Sequence, residues 1–144
     1  MTYGFADING DGQEELLIGD TRFAGYTEDC FIEAITIKDG TTQLAFTTSL
    51  PSYVCENNVV MCCETFFEDR EAYFIYTLAP GWDETGVKIE SFDSLAYYTA
   101  EETWKCSEGF DPHGILTEAE AREIIASYKQ IPIEMNPVSE FPLK

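Results

Sequence analysis

Between two short apolar runs near the start of the chain lies "ADINGDGQEELL", whose side chains fall in an order that suits a hard cation. Counting from Asp7, oxygen donors stand at the first, third and fifth positions, Asp7, Asn9 and Asp11. Gly12 follows, then Gln13 with its backbone carbonyl, and Glu15 at the ninth position. Calcium takes six to eight oxygens at about 2.3–2.6 Å; alternate residues of a tight loop turn inward to supply them while glycine permits the bend. Asp7, Asn9, Asp11, Gln13 and Glu15 are therefore the candidate metal ligands, with water completing the shell and Glu14 pointing away. A second reading stays open. Asp and Asn bond their own backbone and glycine supplies positive φ, so Asn-Gly-Asp-Gly is also a reversal signal that needs no metal.

The elements that must hold this loop are strands. "YGFADI" and "ELLIGD" flank it, "CFIEAITIK" and "TQLAFTTSL" flank an Asp39-Gly40 turn, and "NVVMCCETFF" is entered through Asn57-Asn58. "AYFIYTLA" ends at a Pro80-Gly81 break, and "GVKIESFDSLAYYT" and "TWKC" follow. Links of a few residues leave no room for crossover helices, so the fold expected is mainly β: an antiparallel meander, sandwich-like or blade-like, over 2–106. A loop over 107–116 comes next. Thr117 with Glu120 forms a capping box, and Ala121, Ile124, Ile125 and Tyr128 recur at helical spacing. One C-terminal helix is expected over 117–130, stopped by Ile131-Pro132, with an extended tail over 131–144. All of this reads as a single domain.

The loop's spacing matches the first half of an EF-hand, but the twelfth position is Ile18 where that motif has a bidentate Glu, and the flanks are strands. With those flanks, "FADINGDGQEELLIG" resembles the calcium-binding hairpin loops of FG-GAP and VCBS-type repeats. The resemblance covers about 18 residues. It implies a calcium ion enclosed by two strands and closed by an acidic ninth residue, where Glu15 replaces the usual Asp. Those repeats build propellers from several copies; this chain shows one, so a propeller does not follow. The order of acidic loop, meander and late helix looks like uncharacterised exported or lipid-anchored proteins of anaerobic gut bacteria. That likeness implies an extracytoplasmic setting and no particular activity. The chain also opens almost inside a strand, as a piece of a longer precursor with its export signal removed would.

Across 144 residues, 27 acidic side chains against 8 basic ones give a net charge of −19. Nucleic acid and anionic membrane surfaces are bound chiefly through Lys and Arg, so both are set aside as partners. No run of about 18 apolar residues is present to span a bilayer. Cys30, Cys55, Cys62, Cys63 and Cys106 include no CxxC, and His113 is the one histidine, which argues against zinc. The thiols are read as mostly buried and unbridged, with one or two disulfides as the alternative. Cys62 and Cys63, adjacent in a strand, should face opposite sides and not join. His113 in "DPHG" reads as a turn residue rather than the base of a cysteine nucleophile.

The function expected is a non-catalytic, calcium-stabilised extracellular module, monomeric, that binds a protein or carbohydrate ligand. The alternative is a carbohydrate-active enzyme using paired carboxylates at an aromatic face drawn from Tyr73, Phe74, Tyr76, Trp82, Tyr97, Tyr98 and Trp104. Such aromatics at alternating strand positions are more often core.

Overall fold

A computed structural model describes residues 1–22, 26–27, 29–65, 68–107 and 114–142. Among them ten strands form one antiparallel sheet: β1 (Thr2–Ala6), β2 (Glu15–Gly19), β3 (Phe31–Lys38), β4 (Thr41–Cys55), β5 (Val59–Glu64), β6 (Arg70–Trp82), β7 (Val87–Tyr98), β8 (Thr103–Ser107), β9 (Ile115–Leu116) and β10 (Asn136–Pro137). Sheet order follows chain order from β1 to β9, and β10 returns to pair with β1. The chain is thus mainly β, a meander with a single helix, α1 (Glu118–Ser127), among the described residues. Asp39, Gly40, Asn57 and Asn58 all take positive φ at two tight turns, a conformation these residue types tolerate and that suits hairpin twist. No helix among the described residues is long and apolar enough to cross a membrane.

Strand β4 bends the sheet. Its first half pairs with β3 and its second with β5, and the register jumps between the Phe31–Ser52 and Glu33–Thr47 partners. Pro51 lies buried in that jump, where the ladder is already interrupted and a missing N–H costs little. The sequence reading ended this strand at Leu50; the strand instead runs through the proline to Cys55. The expected Pro80-Gly81 break is likewise a register shift inside β6, between Leu78 and Trp82.

Because of the bend, the first hairpins lie against the later ones. The Phe46 ring stands 5.3 Å from Tyr76, and Lys38 Nζ sits 4.9 Å over Trp82. At Gly86 an added Cβ would come within 2.3 Å of the Ala45 carbonyl oxygen, so only glycine fits. Ile8, Leu17, Phe31, Ala34, Phe46 and Leu78 share this first core.

Strand β5 is buried on both faces, and its period of two divides it. Val60 and Cys62 enter the first core, while Val59, Met61 and Cys63 enter a second with Ile75, Leu95 and Trp104. Helix α1 closes the second core through Ala121, with Ile124, Ile125 and Tyr128 packed beside it. Thr117 Oγ1 accepts the Glu120 N–H at 3.2 Å and caps the helix. Arg122 donates to both Glu71 oxygens, at 2.5 and 2.9 Å, while lying 5.0 Å over the Trp104 ring. The helix stops at Ser127, short of the expected 130, because the next residues join the free side of β4. Glu56 donates to the Lys129 carbonyl and Ile131 donates to the Val54 carbonyl, both at 2.8 Å.

The tail is more ordered than its prolines imply. Ile133 and Met135 pack on the first core, and an added Cβ at Gly4 would lie 2.6 Å from Met135 Sδ. After β10, a 3-10 turn (Val138–Glu140) brings the Phe141 ring edge-on to Tyr3 at 4.8 Å.

Candidate metal centre

The acidic loop is the turn between β1 and β2, tied down at both ends. Ile8 is fully buried in the first core, and Asn9 is fully buried beside it. Residues 10–14 are exposed, and Glu15, the first residue of β2, is again fully buried. In register, Glu15 pairs with Ala6 and shares the inward face with Leu17.

Side-chain oxygens organise the exposed segment. Asp7 Oδ1 accepts N–H groups from Gly10 at 2.7 Å and Asn9 at 3.3 Å, and Asp7 Oδ2 accepts from Gly12 at 2.8 Å. Asn9 Oδ1 accepts the Asp11 N–H at 3.3 Å, and Asp11 Oδ1 accepts the Gln13 N–H at 2.8 Å. The Asp7, Asn9 and Asp11 side chains therefore all bond within one turn, the pattern the metal-free reversal also calls for. Gly10 and Gly12 have φ of 76° and 87°, the left-handed backbone that this winding requires. Gln13 is held from its far end, donating Nε2 to Thr36 Oγ1 and to the Ile37 carbonyl, both at 3.0 Å. The Asn58 amide, in the turn between β4 and β5, lies directly against Gly10.

Glu15 is the electrostatic anomaly. Its Oε2 accepts the Ile8 N–H at 3.0 Å, whereas its Oε1 is buried with no hydrogen-bond partner. Burial pushes its pKa up to about 7; the Ile8 N–H opposes this, and the Asp11 and Asp7 charges add to it. A buried carboxylate oxygen in the field of two further carboxylates is costly unless a proton or a cation joins it. The donor set of hard oxygens fits calcium, with Asp7, Asn9, Asp11 and Glu15 able to offer side chains and Gln13 its carbonyl. As the loop stands, no three His, Cys, Asp or Glu side chains among the described residues are gathered around one point.

Other chemistry is sparse. His113 lies outside the described residues. All five cysteines are buried thiols. Burial raises Cys55 to about 11 and Cys63 to about 12, the form least able to act as a nucleophile. The aromatic side chains divide between the two cores: Tyr73 and Trp104 are buried in the second, while Phe74, Tyr76 and Trp82 pack on the first. Tyr97 packs on the second core and Tyr98 is 39% exposed, so the seven do not share one face.

What sequence reasoning missed is Asn58, whose place against the loop follows from the bend in β4 and has no local signal. No family model, no curated protein and no solved structure matches this chain.

Proposed function

We propose that this chain is a non-catalytic binding or interaction module whose β1–β2 loop is stabilised by calcium. The reading rests on Glu15: a carboxylate oxygen buried without a partner, next to a loop of hard oxygen donors, is costly unless a proton or a cation joins it, and calcium would meet that need with Glu15 ionised. The resemblance to FG-GAP and VCBS-type loops points the same way. Millimolar calcium outside the cytoplasm would fill such a site at modest affinity, which favours an extracytoplasmic setting. The ion would supply charge neutralisation only; the chain's own residues hold the loop, through Ile8 in the core and the Asp7 and Asp11 backbone bonds.

Titration calorimetry together with melting curves tests this. For a Kd of about 0.1 mM, 10 mM calcium adds about 2.7 kcal/mol to folding and raises Tm by several degrees over a chelator control. Magnesium, which resists so many protein oxygens, should do much less. Asp7→Ala and Asp11→Ala should remove the shift and Glu14→Ala should keep it. Equal melting in chelator and calcium, with no heat of binding, would overturn the proposal.

A further inference from the structure

The outward face of β1, β2 and β3 is apolar along one cross-strand row. Phe5 pairs with Leu16, Leu16 with Ile35, and Ile35 with Leu44 of β4. Side chains directly opposite share a face, so the four lie side by side. Their inward neighbours Ala6, Leu17 and Ala34 fill the first core. The face is partly open: Phe5 is 49% exposed and Leu44 43%, Leu16 and Ile35 are half-buried, and Ile37, two residues after Ile35 on the same face, is 62% exposed. At one end the Phe141 ring folds over Tyr3 and leaves a groove of about 280 Å³ lined by Phe5, Leu16, Ile35, Ile37 and Phe141. Its other rim is the acidic loop, through Gln13 and Glu14.

The charge on and beside this rim is negative. Glu14 is an exposed carboxylate on the groove, and Glu33, which pairs with Ile18, carries a second on the same face. None of the described residues lining the groove is basic. Arg22, Arg70, Lys105 and Arg122 pair with Asp20, Glu64, Glu101 and Glu71, Lys38 lies over the Trp82 ring, and neither Lys88 nor Lys129 lines the groove. With a net charge of −19, a second copy of the chain would bring like charge to like. We propose that this groove docks a cationic amphipathic segment of a partner protein, its apolar side chains seated on Phe5, Leu16 and Ile35 and its Lys or Arg heads reaching Glu14 and Glu33. This names the partner class for the interaction module proposed above and rests on that reading. Apolar anchoring sets the affinity, and the acidic rim selects the sign of charge and speeds encounter.

The probe is a fluorescein-labelled Lys/Leu amphipathic peptide, compared by anisotropy with a Lys/Ser peptide of equal charge and a Gln/Leu peptide of equal apolarity. The Lys/Leu peptide should bind at least tenfold more tightly than either. Phe5→Ser and Ile37→Asp, at exposed positions, should each weaken it about tenfold, whereas Ile115→Asp, 72% exposed outside the groove, should not. Equal binding of Lys/Ser would mean general attraction to an acidic surface, and equal binding of Gln/Leu would remove the charge argument; either overturns the proposal. So would equal losses from Ile37→Asp and Ile115→Asp, or a concentration-dependent dimer that Phe5→Ser abolishes. The calcium melting shift is measured on the same samples. A shift without peptide binding rejects the groove alone, and peptide binding without a shift rejects the calcium reading alone.

Discussion

Glu15 Oε2 accepts the Ile8 N–H at 3.0 Å across the mouth of the acidic loop, and both residues are fully buried. One carboxylate oxygen thus closes the turn while the other is left without a partner. In chelator, the Glu15 pKa is about 7 in the folded chain against an ordinary 4.5. The folded state therefore keeps a proton that the unfolded state has released, so stability falls as pH rises from about 4.5 to about 7. The full shift corresponds to about 3–4 kcal/mol at most. Urea denaturation of wild type and Glu15→Gln at pH 5 and pH 8 in chelator reads it directly. Wild type should lose stability over that interval by roughly 1–3 kcal/mol more than the variant. Parallel slopes would show that Glu15 does not carry the proton.

A second prediction concerns the two loop glycines. Both have positive φ, but an added Cβ at Gly12 meets nothing within 4 Å, whereas at Gly10 it would lie 2.7 Å from Asn58 Nδ2 and 2.8 Å from its Oδ1. Gly12→Ala should cost about 1 kcal/mol, the backbone strain alone. Gly10→Ala should cost about 2–3 kcal/mol, strain plus a contact the Asn58 side chain must yield. Removing that side chain in Gly10→Ala/Asn58→Gly should recover about 1 kcal/mol or more, measured as coupling in a double-mutant cycle. Additive effects would mean that the two turns do not touch in solution.

Much of the fold is legible in local sequence because hairpins and one capped helix are local devices. Apolar and β-branched runs of strand length mark β3, β5 and β6, and Asp39-Gly40 and Asn57-Asn58 mark the turns on either side of β4. Long-range closure is not legible. Pro51 reads as a strand terminus, and only the register jump in β4 shows why the strand continues through it. Met135 reads as loose tail, yet Gly4 and Gly19 leave the hollows into which it folds. At the loop, residue types and spacing foretell the turn in which the Asp7, Asn9 and Asp11 side chains accept backbone N–H groups. The burial of Glu15, which makes its oxygen costly, depends on Ile8 entering a core built by β2, β3, β4 and β6.

The third prediction tests the docking of α1. Ala121 is fully buried and Ile124 is partly buried on the second core, while Glu123 faces solvent. Ile124→Asp should destabilise by about 2–4 kcal/mol because a charge would be drawn into an apolar site without a counterion. Glu123→Lys should change stability by less than about 0.5 kcal/mol. Chemical denaturation followed by Trp104 fluorescence reports both, since that indole lies under Arg122 of the helix. Similar effects from the two substitutions would place the helix off the sheet.

The last prediction uses the adjacent pair Cys62 and Cys63. Period-two alternation sends Cys62 into the first core, where it accepts a hydrogen bond from Ser52 Oγ at 3.1 Å, and Cys63 into the second. The two sulfurs therefore lie on opposite sides of the sheet and cannot join without inverting a strand buried on both faces. Their burial also withholds thiolate character, most strongly at Cys63. Under native conditions a thiol-reactive disulfide reagent should label less than about one site per chain in minutes, and in denaturant it should reach all five. Mass spectrometry of alkylated, unreduced protein should find no Cys62–Cys63 bridge. Fast native labelling of either residue, or that bridge, would mean that β5 does not separate the two cores.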